Sequence, residues 1–305
     1  MSSTIPTNSY KTAQAFNALN AEGVLRAGLP ELTYKAYPDL RAPFDSREFV
    51  DAVRALQRDI GVRIDGKLGH GTYMAALQEH DPVPDDADFI TYGRRRIRIY
   101  PRTYKVISFD NKQRGLDLHP AGFFGPRSAD LPIDTVILHW GGFDPRSLHN
   151  VMSSDRAVST HFGIGLDEGN QPTVYQYLDI KHKAWHAGHE NDGSIGIDIC
   201  QQPVTKHLSH YLRAGYKVQV VENKTGRGNQ NVLSLDPRIA AATFDFVNDL
   251  ADVLNIKLTA PPNHDVIAEG TRYSLMGHHH VSPQKWDIAC WWEEIFAGSH
   301  LRVVS

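Results

Sequence analysis

The chain has 305 residues, 41% hydrophobic and 22% charged, with a formal net charge of -3. That composition suits a globular protein of one large domain or two smaller ones and excludes disorder throughout. The near-neutral balance also excludes wholesale binding to nucleic acid or to an anionic membrane surface.

The N-terminal stretch Met1–Tyr10 has no basic segment followed by an apolar run, so no signal peptide is legible and synthesis in the cytoplasm is expected. No run approaches the ~18 apolar residues of a membrane span, so no membrane insertion is expected. Cys200 and Cys290 are too few for a disulfide framework and read as reduced, structural thiols. A monomer is expected.

Residues 1–38 mix an amphipathic segment, Ala13–Leu25, with Gly and Pro breaks and suggest no chemistry. Further on, Asp45 or Ser46 can cap a helix whose apolar positions Phe49, Val53, Leu56 and Ile60 recur at spacings of three and four, with Gly61 as a stop. A Gly-rich turn then leads to Thr72, which can cap a second helix through Leu77. With Leu56-Gln57, Asp65-Gly66, Gly69, Thr72 and Ala75-Ala76-Leu77-Gln78 in this order, residues 42–80 resemble the small three-helix peptidoglycan-binding domain. The resemblance implies a cell-wall anchor without catalytic residues, with residues 1–80 as its domain. The plainer alternative is an unrelated helical hairpin with a Gly-rich turn.

Residues 81–88 are acidic, carry two prolines and read as a linker. The domain expected over 89–305 opens with strand-like Ile97-Arg98-Ile99-Tyr100 and Tyr104-Lys105-Val106-Ile107 around Pro101. Arg94, Arg95, Arg96, Arg98, Arg102 and Lys105 make this the most basic patch, read first as protection of a strand edge and second as contact with anionic wall polymers. Leu131–Leu138 is an apolar run that delivers His139 at its end, before Trp140-Gly141-Gly142, where an open α/β sheet places its site. A hairpin is predicted from Ser159 to Gln176 with its turn near Asp167–Asn170. His161, inside it, reads as a hydrogen-bonded structural residue; His182 and His189 read as surface residues.

Asp198 interrupts the apolar strand Ser194–Ile199, and a carboxylate there needs a partner or a function. Gln201–Ser234 reads as an insertion, a hairpin with a flexible tip. Asp236-Pro237 opens a helix with Ile239, Ala242, Phe246, Leu250 and Val253 along one face. Gly277–Asp287 gathers His278, His279, His280, Lys285 and Asp287, imidazoles and a carboxylate of the kind that bind zinc. Trp291, Trp292, Ile295 and Phe296 begin a final helix as core aromatics.

Ile137-Leu138-His139, Ser159-Thr160-His161-Phe162, Ala184-Trp185-His186-Ala187-Gly188, Ser194-Ile195-Gly196-Ile197-Asp198, Gly277-His278 and Lys285 with Asp287 occur in the order of one family. Residues 131–296 resemble the zinc-dependent N-acetylmuramoyl-L-alanine amidases of the amidase-2 type, a class that includes peptidoglycan recognition proteins. The resemblance implies an α/β fold with a mixed central β-sheet flanked by helices. It implies Zn2+ held by His139, His278 and Asp287, Asp198 as general base, Lys285 as oxyanion stabiliser, and Trp185 with His186 lining the groove for peptidoglycan. The reaction implied is cleavage of the amide between N-acetylmuramic acid and L-alanine, in a phage endolysin. A non-catalytic recognition module and a zinc peptidase cutting within the stem peptide are the rival readings.

Two departures from the family stand out. Glutamate is common where Asp198 stands, and Thr160 occupies the position where other members carry a tyrosine. The choice of second histidine also stays open. Val281-Ser282-Pro283 aligns best with His278 as ligand, whereas the shortest family spacing from Lys285 and Asp287 gives His279.

Overall fold

The computed structural model describes residues 10–18, 31–60, 64–69, 72–73, 76, 83, 86–93, 95–110, 123–128, 131–268 and 271–296. The chain divides into two compact units. One is Met1–Pro84 with Arg95–Ile97 and Val253–Asn255, and the other is Asp85–Arg94, Arg98–Asp252 and Ile256–Ser305.

In the first unit, residues 10–18 are helical, followed by α1 (Glu31–Ala36) and α2 (Arg47–Asp59). Ser46 caps α2 by accepting a hydrogen bond from the Phe49 amide at 3.0 Å, which satisfies one of the orphan donors of the first turn. Phe49, Val53 and Leu56 of α2 pack with Leu40, Leu68, Tyr73 and Ala76 in one apolar cluster. Beside it, Gln57 explains much of the sequence motif. Its Oε1 accepts from the Asp65 and Gly66 amides, and its Nε2 donates to Asp65 Oδ1, the Lys67 carbonyl and Thr72 Oγ1. Asn17 clamps the same turn, donating to the Gly66 carbonyl and accepting from the Leu68 amide. Ala75, Leu77 and Gln78, and residues 19–25 of the amphipathic segment, lie outside the described residues.

The second unit is built on a mixed six-stranded sheet. Its order is β12 (Leu275–Gly277), β5 (Thr135–Trp140), β9 (Ser194–Ile199), β6 (Phe162–Leu166), β7 (Pro172–Gln176) and β3 (Lys105–Ser108). The short strands β1 (Phe89–Tyr92), β2 (Arg95–Arg98), β4 (Phe124–Pro126) and β8 (His182–Ala184) are not part of it. The first four strands are mutually parallel, β6 and β7 form the predicted antiparallel hairpin, and β3 adds in parallel to β7. β5 and β9 are buried along almost their whole length, which is why they read as near-continuous apolar runs rather than alternating ones.

Helices flank the sheet. α5 (Pro237–Leu254) buries Ile239, Ala242, Phe246 and Leu250, and the Phe246 ring meets Phe162 of β6 edge-on at 4.9 Å. Asp236 holds its start by accepting from the Arg238 amide at 2.9 Å. α3 (Pro145–Met152) is closed by a reciprocal Asp144–Ser147 capping box and packs Leu148 and Met152 with Tyr177 and Cys200. Both cysteines are free thiols, and Cys200 is buried.

The insertion departs from the hairpin read in the sequence. A helical turn at Thr205–His207 and α4 (Leu208–Arg213) precede the hairpin of β10 (Val220–Glu222) and β11 (Asn231–Leu233). α4 forms because Tyr211 can bury its ring while its hydroxyl accepts the Gln202 amide at 2.7 Å. The final helix, α7 (Trp292–Phe296), follows a 3-10 turn that ends at the buried Trp291, whose indole donates to the Leu233 carbonyl.

His161 is fully buried; its Nδ1 accepts from the Gly196 amide and its Nε2 faces the His182 carbonyl, each at 3.0 Å. His182 is half-buried against the Phe124 ring rather than a surface residue. Burial first, and then the Arg127 guanidinium, pushes the His161 pKa down to about 3. The unfolded chain takes up this proton near pH 6.5, so the stabilising contribution is complete above that pH and is lost as pH falls toward about 3. Unfolding free energy from urea titrations between pH 7.5 and 4.5 is therefore expected to fall, by at most about 1.4 kcal/mol per pH unit from this group. His161→Gln should flatten that slope, and an identical slope in the variant would remove His161 as its cause.

Candidate functional site

The parallel strands β12, β5 and β9 all end at one edge of the sheet, and the chemistry-bearing residues collect there. His139 is the penultimate residue of β5 and lies in register with Asp198 of β9. β12 ends at Gly277 and runs directly into the short helix α6 (His278–Val281), which brings His278 to the same edge. Asp287 arrives from the loop beyond α6.

His139 Nδ1 and His278 Nδ1 are 3.0 Å apart, and Asp287 Oδ2 lies 3.1 Å from the latter and 3.7 Å from the former. Two imidazole nitrogens and a carboxylate oxygen turned toward one point form a cation-binding arrangement. A tetrahedral ion with bonds of about 2.0–2.1 Å spaces its ligand atoms about 3.3 Å apart, so the three separations fit such an ion. Burial alone would raise the Asp287 carboxyl, but hydrogen bonds with His139 and His278 hold it well below the usual range, keeping it anionic. Burial lowers His278, which favours the neutral imidazole that a metal requires.

Of the neighbouring histidines, His279 and His280 instead cluster with His264. His280 accepts from the Gly277 amide at Nδ1 and contacts the Asn263 carbonyl through Nε2, both at 2.9 Å, so its lone pair is occupied. That cluster braces the turn that carries His278. Successive residues of a helix point about 100° apart, which separates His278 from its neighbour.

Asp198 is 8% exposed, and burial raises its pKa against the opposing influence of His139 and a hydrogen bond from Thr160. Thr160 thus contacts the carboxylate, a role that its position beside a buried strand did not reveal. Lys285 is exposed, and its charge acts on His278. Trp185 is 48% exposed, its loop tied down by reciprocal bonds between Trp185 and Ser159. His186, read in the sequence as a groove residue, has both ring nitrogens engaged by the protein, at His139 Nε2 (2.9 Å) and Ser194 Oγ (3.2 Å).

The tip of the insertion docks against this site. Arg227 donates to the His279 carbonyl at 2.8 Å, and Gly228 sits on the ring of Trp286, the residue before Asp287. Trp286 in turn lies 6.2 Å from Trp140, which follows His139. Gly228 has a φ of +77°, and a Cβ there would stand 2.3 Å from the Trp286 ring. Gly228→Ala is expected to destabilise the protein by about 1–3 kcal/mol through forced displacement of the tip. Thermal unfolding with tryptophan fluorescence reads this out; an unchanged midpoint and spectrum would mean that the tip does not hold Trp286.

Fold and site together define an α/β domain with a His139–His278–Asp287 cluster that could hold a metal ion, beside the buried carboxylate of Asp198. The chain belongs to the N-acetylmuramoyl-L-alanine amidase family (Amidase_2), which matches residues 129–288. Among solved structures, Drosophila PGRP-LB is similar at 17% identity over 66% of this chain and 98% of that one, with a TM-score of 0.38. The amidase LysC from Clostridium intestinale shares 14% identity over 65% and 97% of the two chains, with a TM-score of 0.34. AmiD from E. coli, solved with the substrate anhydro-N-acetylmuramic acid-L-Ala-D-gamma-Glu-L-Lys, shares 21% identity over 52% and 53%, with a TM-score of 0.33. No curated protein sequence matches the chain. No helix among the described residues is long and apolar enough to cross a membrane.

Proposed function

We propose that the protein is a zinc amidase that cleaves the bond between N-acetylmuramic acid and the L-alanine of the peptidoglycan stem. The observation that carries this reading is the convergence of His139, His278 and Asp287 beside Asp198 at the strand ends of a family member. His139, His278 and Asp287 would hold the zinc, which when bound would supply a Lewis acid for the water and the scissile carbonyl.

Asp198 takes the proton of the attacking water as its oxygen adds to the carbonyl carbon, and its raised pKa moves it toward the range where a base also returns the proton efficiently. The proton then goes to the L-alanine nitrogen as the C–N bond breaks, leaving a free amine on the peptide and a carboxyl group on the sugar's lactyl group, whose remaining proton is lost to solvent. Lys285 donates to the carbonyl oxygen as it gains negative charge. The exposed Trp185 offers an aromatic face to the substrate.

Residues 1–80 act in this reading as a wall anchor joined through 81–88 to the amidase domain of 89–305, raising effective substrate concentration at an insoluble polymer. The setting proposed is that of a phage endolysin acting as a monomer on the bacterial wall.

Mass spectrometry of purified peptidoglycan digested with and without chelator, then with zinc restored, tests the reading. Chelator-sensitive release of stem peptides beginning with free L-alanine is expected. Peptides released without their L-alanine would point to a stem-peptide peptidase, and wall binding without any release to a recognition module.

A further inference from the structure

We propose that His186 is a positioning residue that sets the tautomer and ring orientation of the metal ligand His139, a role that rests on the metal reading of the site. His139 turns Nδ1 toward His278 and Asp287, so only Nε2 is left to be held from behind, and Nε2 lies 2.9 Å from His186 Nδ1. A cation takes the Nδ1 lone pair, and a neutral imidazole then carries its proton on Nε2. That proton is donated to His186 Nδ1.

The direction of every subsequent bond follows. His186, accepting at Nδ1, carries its own proton on Nε2, which faces Ser194 Oγ at 3.2 Å. The Ser194 hydroxyl accepts there and donates to the Glu190 carbonyl at 2.6 Å. The chain of bonds runs one way, from the ligand to a backbone acceptor, with no donor facing a donor. The opposite tautomer of His186 would set two N–H groups against each other at His139.

The position of the ring is built in. The His186 and Ala187 amides donate to Asn191 Oδ1 at 3.0 and 2.7 Å. The ring lies against Gly196 of β9, where a Cβ would stand 2.8 Å from His186 Cγ. A glycine at this strand position therefore gives the imidazole the room to reach His139. The groups behind a metal-bound histidine are commonly carboxylates or carbonyls; an imidazole relay does the same work without adding charge.

Zinc dissociation constants of the full-length protein, measured against a competing fluorescent chelator, test the proposal. His186→Phe is expected to weaken zinc binding by about 10–100-fold while the fold is retained. His186→Gln, whose side-chain oxygen can accept from His139 Nε2, should recover most of the loss. Equal zinc affinity in the parent and a folded His186→Phe variant overturns the proposal. Should that variant not fold, nitrogen-15 NMR of the zinc-loaded parent decides. His186 protonated at Nε2 and bare at Nδ1 supports the relay, and protonation at Nδ1 overturns it. A parent that binds no zinc overturns the metal reading and this role together, whereas a zinc-binding parent with an unaffected variant overturns the role alone.

Discussion

His278→Ala is expected to remove zinc binding and bring amide hydrolysis down to background, whereas His279→Ala retains the metal. The contrast is sharp because the two residues are adjacent in sequence yet belong to different clusters. His278 Nδ1 lies within 3.1 Å of both other donor atoms, so its loss leaves His139 and Asp287 as a two-donor site with an anionic carboxylate no longer matched by a cation. His279 is fully buried with Nδ1 unpartnered and Nε2 3.4 Å from His264, and burial pushes its pKa down to about 2. Its truncation leaves a cavity and so lowers stability, but it takes no donor from the centre. Metal content by atomic emission after dialysis, alongside stem-peptide release, distinguishes the two. Stoichiometric zinc in His278→Ala, or its loss from a folded His279→Ala, would reverse the ligand assignment.

Asp198→Asn is expected to lower kcat by about 10²–10⁴-fold with zinc content unchanged, the range spanned by a positioned general base. The side chain keeps its size, so the hydrogen bond with Thr160 and the packing against Gly141 have near-equivalent partners. What disappears is the capacity to accept a proton. Because burial raises the Asp198 pKa, kcat of the parent should decline as pH falls, beginning above the range of an ordinary exposed aspartate. A variant with near-parental kcat would exclude Asp198 as the base. Loss of zinc from the variant would assign it to holding the centre instead.

Much of the site was legible in the sequence because its residues break local rules. His139 closes an apolar strand, Asp198 interrupts another, and Gly277–Asp287 concentrates imidazoles where a core segment would have none. The two strands were readable because both faces of each are buried, and α5 because its apolar stripe and Asp236-Pro237 start are local signals. The Gln57 network was likewise foreshadowed by Asp65-Gly66 and Thr72, although the sequence could not say that one carboxamide joins them.

The less legible features are long-range. The partner of His186 is 47 positions away in His139, and the insertion reaches Trp286 and the His279 carbonyl from residues 227 and 228. The helical turn inside the insertion was missed because α4 is short and is anchored by the buried Tyr211 rather than by a long apolar stripe.

The sequence by itself determined which side chains were available for chemistry, the strands and helices that carry most of them, and the family order in which they occur. Periodicity, capping and turn residues act over a few positions, and this information survives without the fold. Only the tertiary structure decided which lone pairs converge. Strand register sets His139 beside Asp198, the turn of α6 brings His278 rather than its neighbours to His139 and Asp287, and the close approach at Gly196 lets the His186 ring reach His139. Each of these depends on directions in space that spacing along the chain does not encode.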